Sequence, residues 1–269
     1  MTAESRPRTV LDLATMKARG RKIVMLTCYD ATFARLVGPE VDVLLVGDSV
    51  HQVVAGHDTT LGATLDQLIY HGKAVRRGAP DSLLIVDLPF LTYQVSIEEA
   101  IRNAGQVLQE TGANGVKLEG GTPMVPTVRA LVERGIPVMA HLGLMPQAVQ
   151  ALGGYRVQGR EPAQAAHMVE EARLMEQAGA FGVLLELVPA ALATRVTDSL
   201  TIPTIGIGAG PGCDGQVLVL HDMLGLNEAF SPKFLKRFGE LGAAVRNAAR
   251  AYAAEVREET YPGPEHSFE

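Results

Sequence analysis

Apolar residues along this chain fall in short, nearly continuous runs rather than in alternation. Eight runs stand out, at residues 23–27, 41–46, 83–86, 115–118, 137–140, 183–185, 203–207 and 217–220. Each is too short for a helix, is rich in Val, Ile and Leu, and closes at a small or polar residue. Strands have this pattern when both of their faces are covered, as in a parallel sheet wrapped by helices. Segments with helical spacing or composition separate the runs. Residues 64–77 predict one helix, and Ser96-Ile97-Glu98-Glu99 opens another with the Ser-x-x-Glu of a capping box. Thr122-Pro123 precedes a third, with Pro in a tolerated first-turn place. Glu161-Pro162 opens a fourth that runs to Gln177 and stops at Gly179. Residues 233–259 predict a long closing helix, with Ala, Leu, Val and Tyr on one side and Arg, Lys and Glu on the other.

Eight strands alternating with helices over about 250 residues match an α/β fold of the (β/α)8 TIM-barrel kind. An open doubly wound sheet shares the alternation and is the competing architecture. No Ser- or Gly-rich linker and no shift in composition divides the chain. Residues 1–269 are therefore expected to form a single barrel domain with an N-terminal extension and the long C-terminal helix.

Composition narrows the classes of function. With 269 residues, 47% of them apolar, the chain can bury a substantial core without disulfides or a structural metal. Together with a net charge of only −6, that apolar share excludes disorder as the dominant state. The 24 Lys and Arg face 30 Asp and Glu with no long basic block, which excludes a nucleic-acid footprint. Cys28 and Cys213 form no CxxC pair, so neither a zinc ribbon nor a disulfide framework is expected. No run approaches the ~18 uninterrupted apolar residues of a membrane span. The first seven residues are polar, without the apolar centre of a signal peptide. The expectation is a cytoplasmic protein whose partners are small molecules, not nucleic acid or membrane.

Ionisable residues recur where the strands end. Asp48 follows Leu44-Leu45-Val46-Gly47, Asp87 follows Leu84-Ile85-Val86, and Glu119 follows Val116-Lys117-Leu118. His141 follows Val138-Met139-Ala140, and Glu186 follows Val183-Leu184-Leu185. In a barrel all C-terminal strand ends point to one mouth, so these distant residues converge there. Carboxylates gathered so closely repel one another unless a cation sits among them. Oxygen donors favour a hard ion, so Asp48, Asp87 and Glu119 are candidate Mg²⁺ ligands. The competing reading of each is a helix cap or a solvated carboxylate.

Lys117 and Glu119 lie two apart on one strand and share a face, which suits Lys117 to an anionic substrate. Glu186, between Leu185 and Leu187, is a candidate general base. His141 is a candidate donor to a developing oxyanion. His51, His57 and His71 read better as surface or packing residues. Gly210-Pro211-Gly212-Cys213-Asp214-Gly215 fits G-x-G-x-x-G, but a strand-like run follows it, and the dinucleotide motif requires a helix there. Gly206-Ile207-Gly208-Ala209-Gly210 stands where barrels often hold phosphate.

Several longer motifs carry a resemblance. Val46-Gly47-Asp48-Ser49, Gly56-His57-Asp58-Thr59-Thr60-Leu61, Asp87-Leu88-Pro89-Phe90 and Val116-Lys117-Leu118-Glu119-Gly120-Gly121 are among them. His141-Leu142-Gly143-Leu144-Met145-Pro146-Gln147, Gly153-Gly154-Tyr155-Arg156-Val157-Gln158-Gly159-Arg160 and the tail Tyr261-Pro262-Gly263-Pro264-Glu265-His266-Ser267-Phe268 follow in order. From about Ile23 to the C-terminus the chain resembles the ketopantoate hydroxymethyltransferase family. The resemblance implies a Mg²⁺-dependent (β/α)8 barrel that starts pantothenate synthesis. Such an enzyme transfers a one-carbon unit from 5,10-methylenetetrahydrofolate to 3-methyl-2-oxobutanoate, giving 2-dehydropantoate. It implies Asp48, Asp87 and Glu119 as metal-site acids, and Asp48, Ser49, Asp87 and Lys117 as contacts of the 2-oxo acid. Glu186 would be the proton acceptor, with His141 near the substrate. It also implies a homo-oligomer of high order, up to a decamer. Two rival readings remain: another Mg²⁺-dependent 2-oxo acid barrel of the carbon–carbon lyase or phosphoenolpyruvate mutase type, and a non-catalytic barrel binding a phosphorylated ligand through Gly206 to Gly210.

Overall fold

A computed structural model describes residues 8–268. Residues 1–7, the beginning of the expected N-terminal extension, and residue 269 lie outside the described residues. Eight strands close a barrel in chain order: β1 (Ile23–Thr27), β2 (Val43–Val46), β3 (Leu83–Asp87), β4 (Gly115–Glu119), β5 (Val138–Gly143), β6 (Gly182–Glu186), β7 (Thr204–Ile207) and β8 (Gly215–Leu218). β8 pairs back onto β1 in parallel, so no edge is left open and the doubly wound alternative is excluded. The helices are α1 (Val10–Ala18), α2 (Ala31–Val37), α3 (Leu65–Gly78), α4 (Ile97–Thr111), α5 (Val125–Val132), α6 (Pro162–Gln177), α7 (Ala190–Asp198) and α8 (Leu241–Arg257). The chain divides into two compact units, Met1–Val219, which carries the barrel, and Leu220–Glu269.

Side chains alternate along each strand, and here both faces are buried. Ile23, Met25, Val43, Leu45, Leu83, Ile85, Met139, Leu184, Ile205 and Val217 share one interior cluster. Leu13 and Met16 of α1 join that cluster beside the beginnings of the strands. On the outer face Leu142, Val183 and Leu185 pack against Met168 and Ala172 of α6 and Leu192 and Val196 of α7. Burying each such Leu, Ile or Val stabilises the fold by about 1.5–3 kcal/mol. This double burial is why the strands are continuous apolar runs.

The helix signals act as expected. Ser96 Oγ accepts the Glu99 N–H at 3.1 Å, and Thr64 Oγ1 accepts that of Gln67 at 3.3 Å. α6 starts at Pro162 and ends at Gln177. α1, α2 and α7 went unpredicted because helices of seven to nine residues give little periodicity.

Several boundaries shift by one to three residues, β5 for example running over Val138–Gly143, and two further differences bear on the expected elements. The last strand runs over residues 215–218 instead of 217–220, and Leu220 opens a one-turn helix. The glycine-rich segment at 210–215 thus leads into a strand, and the dinucleotide reading fails. The closing helix begins at Leu241, not at residue 233. Ahead of it, Phe238 N–H donates to Met223 O and Leu235 N–H to Pro232 O, so the segment's backbone donors are used outside a helix. Among the described residues no helix is long and apolar enough to cross a membrane.

Candidate active site

The inward-facing phase of the strands continues to their C-terminal ends, where the apolar interior gives way to charge. Asp87 stands two residues beyond Ile85 on β3, and Lys117 and Glu119 take alternate places on β4. His141 lies two beyond Met139 on β5, and Glu186 two beyond Leu184 on β6. Strand register sets their heights. Asp87 pairs with Lys117, Glu119 with His141, and Gly143 with Glu186. Asp48 and Ser49 occupy the turn directly after β2. All seven residues expected from the sequence therefore meet at one mouth.

Their contacts form a continuous chain. The Asp48 backbone N–H donates to Asp87 Oδ2 at 3.0 Å. Lys117 Nζ lies 3.1 Å from Asp87 Oδ1 and 3.3 Å from His141 Nδ1. His141 Nδ1 is 3.5 Å from Glu119 Oε1, and its Nε2 is 3.4 Å from Glu186 Oε2. Ser49 Oγ is 2.8 Å from the buried Tyr29 hydroxyl. The Asp87, Lys117, Glu119 and His141 side chains are at most 5% exposed, whereas that of Glu186 is 19% exposed. Among the ionisable members, Glu186 is the one with the most access to water.

Gln147 and Tyr93, neither of them expected from the sequence, complete the scaffold. Gln147 Nε2 donates to Asp48 Oδ2 at 2.9 Å and to Leu88 O at 3.0 Å. Its backbone N–H donates to Glu119 Oε2 at 3.0 Å. The Tyr93 hydroxyl donates to Gln147 Oε1 at 2.6 Å and accepts the Glu119 N–H at 3.0 Å. One buried residue therefore orients two of the acids, Asp48 through its side-chain amide and Glu119 through its backbone N–H. Gln147 lay in a quoted motif, but a glutamine carries no charge that would mark it. His51 and His71 behave as packing residues, bonded through Nδ1 to Thr59 O and Tyr29 O.

Electrostatics follow from the burial. Asp48 is pushed up to about 7 by burial, then by Asp87 and Glu119. Burial also raises Asp87, although Lys117 and the Asp48 N–H favour its ionised form. Burial works against the charge on Lys117, but Asp87, Glu119 and Asp48 hold its ammonium above the usual lysine range. For His141, burial and Lys117 oppose protonation, and the Glu119 and Glu186 carboxylates outweigh them, raising it to about 9. Lys117 and the Asp48 N–H thus favour an ionised Asp87, while burial and the neighbouring carboxylates favour a proton on Asp48.

The residues fit a hard divalent cation. Asp48, Asp87 and Glu119 converge beside Lys117 and His141 in a buried site, and a dication would offset the mutual repulsion that raises Asp48. Asp87 Oδ1 and Glu119 Oε1 are buried oxygens without an aligned hydrogen bond, which leaves them available as ligands. Among the described residues no three His, Cys, Asp or Glu side chains already form a ligand cage. Magnesium characteristically takes one or two carboxylates and completes its shell with water and substrate oxygens.

The model of the family described as ketopantoate hydroxymethyltransferase matches residues 7–264. The chain belongs to that family. A 3-methyl-2-oxobutanoate hydroxymethyltransferase of Syntrophotalea carbinolica is 52% identical over 262 residues, 97% of this chain and 98% of the relative. Among solved structures, 2,3-dimethylmalate lyase, a PEP mutase/isocitrate lyase superfamily member, matches with a TM-score of 0.60 at 19% identity, over 95% of this chain and 92% of that one. Phosphonopyruvate hydrolase in complex with oxalate and Mg²⁺ matches with a TM-score of 0.63 at 13% identity, over 96% and 93%. At such identities the two structures show a shared fold, and the hydroxymethyltransferase family alone carries the chemistry.

Proposed function

We propose that the chain transfers a hydroxymethyl group from 5,10-methylenetetrahydrofolate to 3-methyl-2-oxobutanoate, giving 2-dehydropantoate, the first step of pantothenate biosynthesis. The observation that carries this reading is the buried cluster of Asp48, Asp87 and Glu119 beside Lys117, His141 and the part-exposed Glu186 carboxylate, in a chain of the hydroxymethyltransferase family. A 2-oxo acid is anionic and carries a keto oxygen beside its carboxylate, which suits it to a hard cation and to Lys117 at that mouth. Asp48, Asp87 and Glu119 would hold Mg²⁺ at the mouth. When bound, the ion supplies Lewis acidity at the keto oxygen and so acidifies the C3 proton.

The chain's own residues do the rest. Ser49, oriented by Tyr29, binds the substrate carboxylate. Lys117, held by Asp87, faces the negative charge that develops on the keto oxygen. Glu186 takes the C3 proton, and His141 Nε2 at 3.4 Å orients the carboxylate that does so. Water adds to the one-carbon unit as both of its carbon–nitrogen bonds, to N5 and N10 of the folate, break and the nitrogens take up protons, which leaves the carbon at the oxidation level of formaldehyde. The electron pair left at C3 forms the carbon–carbon bond to that carbon, and its water-derived oxygen takes a proton to become the hydroxyl. Family membership supports the pathway and a cytoplasmic location. It also supports a homo-oligomer, up to a decamer. α8 fits an assembly surface, because only Gly242 on it is buried while Val245, Tyr252 and Val256 are exposed.

The test is an assay of 2-dehydropantoate formation from both substrates, with Mg²⁺ and then with chelator. Product that vanishes on chelation and returns with Mg²⁺ is expected. Folate-independent cleavage of a 2-hydroxy diacid would replace this reading with that of a lyase.

A further inference from the structure

Tyr155 has no part in the proton transfer above, yet it stands over the same mouth. It lies on a strap, residues 153–159, between the one-turn helix Val149–Leu152 and α6. At the start of the strap Gly153 and Gly154 have φ of +69° and +109°, with nothing within 4 Å of either Cβ position. Only backbone preference, not packing, requires glycine there, Gly153 being the left-handed cap that ends the one-turn helix. At the other end Gly159, at φ +76°, is buried against Leu192 and Met168. Beside it the Gln158 N–H donates to Leu187 O at 2.9 Å, pinning the strap next to Glu186. A cavity of about 220 Å³ lies against the strap, lined by Leu152, Gln158, Gly159 and Met168 among others.

The strap reaches across the mouth through a single side-chain bond. Gln52 Nε2, one turn beyond Ser49, donates to the Tyr155 hydroxyl at 3.1 Å. The Tyr155 pKa is raised by burial and, against the Gln52 bond, by the charges of Glu186, Asp48 and Glu119, which places the hydroxyl within their field. The ring remains 50% exposed, as expected of a cover with solvent on its outer side.

A carbanion at C3 has two electrophiles to choose from, the folate methylene carbon and a proton. Return of a proton regenerates the keto acid and wastes the turnover. In D₂O the return is visible. The C3–H bond breaks, its proton on Glu186 exchanges with solvent, and a C3–D bond forms. Water reaches the cluster on the Glu186 side, where that side chain is 19% exposed.

We propose that Tyr155, latched to Gln52, is a reaction-specificity residue that limits the water reaching the part-exposed Glu186, so that C3 attacks the folate carbon more often than it recovers a solvent proton. This rests on the function proposed above. The experiment runs the enzyme with Mg²⁺, 3-methyl-2-oxobutanoate and 5,10-methylenetetrahydrofolate in D₂O. It measures deuterium at C3 of the recovered keto acid against 2-dehydropantoate formed. Tyr155→Ala is expected to raise that ratio about tenfold, because an open mouth admits the side reactions that closure excludes. Tyr155→Phe and Gln52→Leu, which cut the latch and keep the ring, are expected to raise it by about two- to threefold, in keeping with the loss of one exposed hydrogen bond. Slower product formation with an unchanged ratio in Tyr155→Ala would mean a merely structural role and would overturn the inference alone. Absence of 2-dehydropantoate from the wild type would overturn the proposed function, and the inference with it.

Discussion

Replacing Lys117 by methionine keeps most of the stem and removes one charge. The ammonium stands 3.1 Å from Asp87 Oδ1, and both side chains are at most 5% exposed, so water does not take its place. An ionised Asp87 left without its partner costs about 3–5 kcal/mol. At about 2–4 °C per kcal/mol for a chain of this size, the fall in Tm is about 6–20 °C at pH 8. At lower pH the carboxyl escapes this cost by taking a proton. Burial already raises Asp87 above the ordinary carboxylate range, and loss of Lys117 raises it further. A carboxyl whose pKa is higher folded than unfolded adds stability in full below the unfolded value. That contribution is lost as pH rises through the folded value. The deficit should therefore shrink at pH 5.5 to about 1–2 kcal/mol, the cost of a lost hydrogen bond and some packing. Calorimetric melting of both proteins in chelator at pH 5.5 and pH 8 measures it. A deficit that is equal at the two pH values, or larger in acid, would refute the pairing. Turnover should fall by about 10²–10³-fold, the effect of removing one donor to a developing oxyanion.

Glu186→Gln should lower kcat by about 10²–10⁴-fold, the usual contribution of a general base, while calorimetric Mg²⁺ binding stays near wild type. Wild-type turnover would remove Glu186 from the mechanism. Because burial, Asp87 and Glu119 lift Asp48 to about 7, its proton must leave before a cation binds. Mg²⁺ affinity should thus weaken by up to about tenfold per pH unit below 7 and level off above it, and a flat profile from pH 6 to 8 would contradict this. Gln147→Leu removes the donor to Asp48 Oδ2 and the acceptor of the Tyr93 hydroxyl. It should cost about 2–4 kcal/mol of stability through unsatisfied buried groups and shift the midpoint of Mg²⁺ binding to higher pH. An unshifted midpoint would show that Gln147 does not set the Asp48 carboxylate.

The barrel could be read from the chain because its strands are buried on both faces, so that β2 and β3 are apolar along almost their whole length. The mouth could be read because Asp87, Glu119 and Glu186 are the last residues of their strands, and charge ending an apolar run is visible in one dimension. Gln147 and Tyr93 could not. An amide and a phenol become site residues only through partners far away in sequence, Asp48 lying 99 positions from Gln147. The overestimated closing helix has a similar origin: a helical pattern at residues 233–240 yields to bonds such as that of Phe238 N–H with Met223 O.

Local chemistry thus settled which residues form strands, which face each side chain takes and which strand ends carry acids, since these follow from neighbours one or two residues apart. Only folding in space decided that Lys117 faces Asp87, that His141 bridges Glu119 and Glu186, and that Tyr155 reaches Gln52. Those pairings depend on strand register and loop path. The charge and proton affinity of a buried group depend on what lies a few ångströms away, which is not written in the order of the residues.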